Sequence, residues 1–263
     1  VEPESKRIDP SSRLAVAAVV LSLALAACTG TGLSKRVITE SPAGPPASSA
    51  SPTPGQGQGG SDSQILQQVG LQPAELHSGF TVAPIIGGDQ VEGQVTLDLC
   101  AATFPSEDLR RSRLQVSAVD QSGTGLGLGT EAVLYKDEAA TAQGFSELRS
   151  ARDKCPDKFV QSNQEGVPPL KYRFDQAPDT TWTDVAGVTR LAFRFTLTDQ
   201  QDQTAQALIV FLRRGRLLVG VYAFGESVDL VLAPDVGGVE GLVERVAGRM
   251  TDVPASVVSA SVT

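Results

Sequence analysis

Between residues 189 and 224 the apolar residues are arranged in a way that constrains the whole chain. Leu191, Phe193, Phe195 and Leu197 alternate with Ala192, Arg194 and Thr196, the period of two that turns one face of a strand inward. A polar Asp199-Gln200-Gln201-Asp202-Gln203 turn leads to an apolar run over 205–212, and Arg213-Arg214-Gly215-Arg216 turns the chain into a second apolar run over 217–224. Three strands joined by two short turns make an antiparallel meander. The last two strands are apolar almost without interruption, so both of their faces need cover and they belong at the centre of a sheet.

The rest of the folded chain supplies candidates for that cover. Residues 65–76 read as helical turns broken around Gly70 and Pro73. A glycine-punctuated strand is expected at 79–88 and another at 93–100, where Val95, Leu97 and Leu99 alternate with Gln94, Thr96 and Asp98. Residues 104–113 read as a polar loop before strands at 114–119 and 130–135, with shorter strands at 158–161 and 171–175. Asp137 is placed to cap a helix over 138–154 whose buried stripe is Ala142, Phe145 and Leu148. Pro234 and Asp235 mark the entry to a closing helix over 238–250. There Val239, Leu242, Val243, Val246 and Met250 form an amphipathic stripe, and the tail after Pro254 is expected to fray. This order predicts an α+β fold with helices packed against a mostly antiparallel sheet.

Gly123, Gly125, Gly127 and Gly129 recur at every second residue. A dinucleotide-binding loop needs glycine where Leu128 stands and must open a helix. These glycines instead lead into a strand, which favours a hairpin or a glycine-lined face where a ligand approaches backbone closely. Gly125, Gly127, Tyr172 and Trp182 are the ligand-binding candidates on this basis, although a lone Trp in a turn-rich stretch also suits a cover over the core edge. The Arg213, Arg214 and Arg216 tip reads as a solvated turn, with anionic headgroups or wall polymer as the alternative contact.

Ahead of all this lies an apolar run, Leu14 to Ala27, preceded by Lys6, Arg7 and Arg13 and closed by Leu25-Ala26-Ala27-Cys28. Charged, apolar and small-residue regions in that order are the parts of a secretory signal. Ending on Cys28, the stretch resembles the bacterial lipoprotein signal, which implies a diacylglyceryl group on Cys28 as the anchor to the lipid bilayer. A spanning helix needs about 20 apolar residues, more than this run offers. Residues 1–28 are accordingly expected to be the signal, 29–63 a Ser/Pro/Gly-rich tether with a mean reach of roughly 30–35 Å, and 64–263 the folded domain. The expected location is the outer face of the cell membrane.

The formal net charge of -8, with no basic block, argues against nucleic acid as a partner. With Cys28 assigned to lipid, Cys100 and Cys155 remain, and outside the cytoplasm a leftover pair is most simply a disulfide. The single histidine, His77, with two cysteines would leave a zinc site one ligand short. No metal or cofactor is expected. No G-x-S-x-G occurs, and the carboxylates are scattered without an evident pair, so no catalytic residue is nominated and the expectation is a non-enzyme.

The layout of the strand at 95–100, the helix at 139–155 and the hairpin region at 193–224 resembles the extracellular sensor domain of PknH-type actinobacterial receptor kinases, over about residues 65–250. That domain also occurs on free-standing lipoproteins. The kinase member carries two disulfides, whereas one pair is available here. The resemblance implies the fold, the Cys100–Cys155 pairing and a ligand cleft in the sheet, but no particular ligand residue. A second candidate is the lipoprotein group with a Mog1/PsbP-like sandwich. The function expected is an extracytoplasmic ligand-binding or sensor-like lipoprotein whose partner is a small-molecule or envelope ligand. The alternative is an envelope assembly or docking factor that meets a membrane protein, with a hydrolase further behind.

Overall fold

The computed structural model describes residues 59–121, 127–163, 167–175, 181–229 and 232–261. The expected lipidation site Cys28, the expected tether up to residue 58, and Gly125 lie outside the described residues. No helix among the described residues is long and apolar enough to cross a membrane.

Seven strands form one sheet: β1 (Phe80–Pro84), β2 (Arg110–Asp120), β3 (Gly127–Tyr135), β4 (Lys171–Phe174), β5 (Thr189–Thr198), β6 (Thr204–Arg214) and β7 (Leu217–Gly225). Their order across the sheet is β1-β2-β3-β7-β6-β5-β4, and every neighbouring pair is antiparallel. Two meanders thus run inward from opposite edges and meet where β3 pairs with β7. β6 and β7 are central, as their apolar runs require.

Alternation sorts the side chains to two faces. On one, Leu114, Val116, Leu208, Val210, Val219 and Val221 are covered by α1 (Gly59–Val69) and α3 (Val239–Asp252). The predicted stripe of α3 is buried in full, from Val239 to Met250. The two helices are tied at their ends, where Arg249 of α3 donates to the Gly70 carbonyl (2.8 Å) and pairs with the buried Glu75. On the other face, Val133, Phe193, Phe195, Leu197, Ile209 and Phe211 are covered by α2 (Glu138–Asp153) and by an irregular segment over residues 85–104. The Asp137 carboxylate accepts from the Ala140 amide at 2.8 Å, the predicted cap.

Several expectations are corrected. Residues 93–100 are not a strand: they form an irregular cover, fastened by a disulfide between Cys100 and Cys155 with Cα atoms 5.3 Å apart. Residues 104–113 are not a loop throughout. Pro105–Leu109 form a 3-10 turn, and β2 begins at Arg110. Position 142 faces solvent. The buried stripe of α2 runs instead through Thr141, Gly144, Phe145, Leu148 and Ala151, because Gly144 lets the helix approach Ser106 and Leu97. α1 begins at Gly59, earlier than expected, and Asp62 accepts from Ser112 at 2.8 Å.

The Arg-rich hairpin tip is not a solvated turn, nor a free basic patch. Arg214 donates to the carbonyls of Met250 and Val253, both at 2.6 Å, and Arg216, 4% exposed, donates to those of Val257 and Tyr135. The Arg213 guanidinium lies over the Phe145 ring. The tail after Pro254 therefore does not fray: it forms a short helix, α4 (Ala255–Val258), and the Val258 carbonyl accepts from the Arg216 amide at 2.8 Å. Gly215, at φ 55°, passes so close that a Cβ would sit 2.2 Å from that carbonyl. Arg214 and Arg216 thus donate to carbonyls at the ends of α3, α4 and β3, the first two being places where a helix runs out of its own amides.

Candidate functional site

β3 and β7 build the floor of a cavity on the disulfide-bearing side of the sheet. In one cross-strand row Ser117, Gly129, Tyr222 and Ile209 are successive partners, and in the next Gln115, Glu131 and Gly220. Gly129 has no side chain to project, so the floor is bare between Ser117 and Tyr222. Gly220 has none either, and Tyr222 leans across it: a Cβ there would lie 2.6 Å from the phenol oxygen. A cavity of about 80 Å³ remains between this floor and the cover segment. Its apolar wall includes Phe195, Leu197, Ile209 and Phe224, and its polar lining includes Thr96, Asp98, Gln115 and Glu131. Ile85 and Val95 close it from the cover side.

The polar end is a buried charge network. Glu131, 4% exposed, pairs with the Nε of Arg113, 2% exposed. It also accepts from the Thr96 hydroxyl at 2.7 Å and from the Gln115 amide nitrogen at 3.1 Å. Arg110 donates to the same Thr96 oxygen at 2.7 Å and to the Gln94 carbonyl. Glu107 accepts the backbone amides of Thr96 (2.7 Å) and Leu97 (3.1 Å), one on each carboxylate oxygen. The cover segment thus takes its hydrogen bonds from charged side chains in place of a neighbouring strand. Two side-chain atoms of residues in the cavity lining are buried without a hydrogen-bond partner, Gln115 Oε1 and Tyr222 Oη. Buried polar atoms without partners are rare in folded proteins.

Burial pushes the Glu107 carboxyl up to about 7, against the opposing pull of Arg110 and the Thr96 and Leu97 amides. Burial likewise raises Asp98, which accepts from the Ser162 hydroxyl at 2.5 Å, and holds the Tyr172 and Tyr222 phenols above their ordinary range. For Glu107 the folded carboxyl keeps a proton that the unfolded chain, with a value near 4.5, has already released. Its stabilising contribution is therefore complete below about pH 4.5 and is lost as pH rises through 7, a change of about 3 kcal/mol at most. The melting temperature is expected to fall between pH 5 and 8, and Glu107→Gln is expected to flatten that slope. A wild-type Tm that does not decline across this range would contradict it.

The residues nominated from sequence separate. Tyr172, in β4, lines the cavity. Gly127 lies on the same face of β3 as Gly129, one row away, opposite Phe224. Trp182 packs on the far side of the sheet, with Arg190 over its ring at 5.7 Å, so Tyr172 and Trp182 do not share a site. His77 is occupied as a turn acceptor, its Nδ1 taking the Gly79 amide at 3.1 Å beside the Phe80 ring. The residues missed were Gln115, Glu131, Arg113, Thr96 and Glu107. One signal could have found them: Glu131 is a carboxylate inside an otherwise apolar strand.

No protein-family model and no curated protein matches this chain. Among solved structures it is similar to the crystal structure of the extracellular domain of PknH from Mycobacterium tuberculosis, at 10% identity and a TM-score of 0.46, over 72% of this chain and 94% of that one. It is also similar to an uncharacterised protein from Mycobacterium smegmatis, at 14% identity and a TM-score of 0.33, over 69% and 90%. Neither lends a residue or an activity to this chain.

Proposed function

We propose that this chain is a membrane-anchored extracytoplasmic lipoprotein whose folded domain binds a small molecule between its sheet and the 85–104 cover, without catalysing a reaction. The observation that carries the binding reading is the cavity over Gly129, with apolar walls and with buried Gln115 Oε1 and Tyr222 Oη unpartnered at its polar end. Small-molecule sites combine these two features: an apolar enclosure and a few convergent polar groups. The buried carboxylates support binding over catalysis. Glu131 is held by Arg113, Thr96 and Gln115, and Glu107 by two backbone amides, so neither is presented as a free acid or base. The anchor rests on the run ending at Cys28, and the Cys100–Cys155 disulfide favours an oxidising compartment.

Native mass spectrometry of the full chain, exported and purified from its original host, tests this. A bound small molecule that leaves on unfolding is expected, and Ser117→Phe, which fills the cavity beside Gly129, is expected to abolish the extra mass while the fold persists. A ligand-free mass for the native chain, or an adduct that Ser117→Phe leaves unchanged, would sink the cavity reading. Cys28→Ser is expected to release the chain from the membrane fraction, and retention there would sink the lipid anchor.

A further inference from the structure

The hydrogen-bonding character of the cavity restricts what it can hold. Gln115 is 9% exposed, and its amide nitrogen donates to Glu131. That bond fixes the side-chain orientation, so the unpartnered Oε1 that lines the cavity is an acceptor and calls for a donor. Asp98, also in the lining, accepts from Ser162 and Asn163, and no cation pairs with it among the described residues. Glu131 brings a second carboxylate, neutralised from behind by Arg113. No Lys, Arg or His lines the cavity among the described residues. Opposite these acceptors stand aromatic and branched apolar side chains, Phe195, Phe224 and Ile209.

Resting on the cavity reading above, we propose that the occupant is a small organic cation, an ammonium- or amidinium-type head carrying N–H donors on a compact apolar body. The head lies between Asp98 and Gln115 Oε1, where its charge compensates the unpaired carboxylate and its N–H groups supply the missing donors. The body packs on the Phe195, Ile209 and Phe224 wall over Gly129. An anionic ligand meets the opposite balance: a carboxylate or phosphate here faces Asp98 without a basic side chain in the lining, and repulsion in a low-dielectric cavity is severe.

Three probes of one shape separate charge from fit: phenethylamine, phenethyl alcohol and 3-phenylpropionate, titrated calorimetrically at pH 7 into the full chain in detergent. Phenethylamine is expected to bind at least tenfold more tightly than either of the others. Asp98→Asn is expected to weaken it tenfold or more, and Gln115→Met, which leaves Asp98 in place, severalfold. Equal or tighter binding of 3-phenylpropionate or of the alcohol would overturn the cation assignment and leave the cavity reading standing. Binding of the amine that survives both substitutions, or that Ser117→Phe does not block, would overturn it as well, by placing the probe elsewhere. If none of the three binds while native mass spectrometry still finds an adduct that Ser117→Phe removes, the cation class fails and the cavity stands; if the adduct is missing too, both fail.

Discussion

Glu131→Ala is expected to remove most of the domain's stability. The substitution leaves Arg113, 2% exposed, without its counter-charge, and takes the acceptor from the Thr96 hydroxyl and the Gln115 amide in one step. Removing one partner of a buried pair costs about 3–5 kcal/mol, against a total that for whole domains is about 5–15 kcal/mol. Glu131→Gln, which keeps an acceptor, is expected to cost less. The double variant Arg113→Met with Glu131→Leu is expected to recover much of the loss, because it leaves no charge stranded. Urea denaturation followed by far-UV circular dichroism measures all three. A loss below about 1 kcal/mol for Glu131→Ala would show that water reaches this pair and that the network is not what holds the cover.

Replacing both Cys100 and Cys155 by alanine has the second largest expected effect. The bridge spans 55 residues, for which the chain-entropy relation gives about 4 kcal/mol, an upper figure because strain in the native bridge subtracts from it. The loss is expected to be uneven. Cys100 and Ala101 both hold positive φ, 58° and 55°, a conformation that non-glycine residues keep only where the surroundings enforce it. Without the bridge, the cover from residue 94 to 104 is expected to open first. Hydrogen exchange should therefore accelerate at the Thr96 and Leu97 amides while β6 and β7 stay protected, and any bound molecule should be lost. Uniform loss of protection across the sheet would show that the cover and the sheet unfold as one unit.

How far the sequence reveals this molecule depends on the range of the interactions involved. The meander over β5, β6 and β7, the stripe of α3 and the Asp137 cap are local patterns, with periods of two or 3.6 and a cap three residues from its amide, and they read correctly. The alternation of Val95, Leu97 and Leu99 is equally regular, yet it reports only that one side is buried. It does not say whether the backbone amides find another strand or, as here, the carboxylate of Glu107. The network of Arg113, Thr96 and Glu131 is not readable locally, because Arg113 lies 18 positions from Glu131 and Thr96 lies 35 from it. The arginine tip was misread for the same reason: its acceptors are the carbonyls of Met250, Val253 and Val257. Of the candidate site, Tyr172 was legible, whereas the floor glycine is Gly129 in place of Gly127, one row away, and the acceptors that line the cavity were not legible.

The seam between β3 and β7 has a consequence for the half-made chain. Leu134 and Gly127 wait for Leu217 and Phe224, so a chain emerging from its N-terminus completes one meander long before the partner of its inner edge exists. During that interval β3 offers a long row of amides and carbonyls with no ladder to join, a surface on which a second nascent copy could pair. α1 meanwhile lies on an apolar face that lacks α3. A chain that ends before residue 217 leaves this inner edge of β3 without its partner, and an open, largely apolar strand edge is a site for pairing between copies.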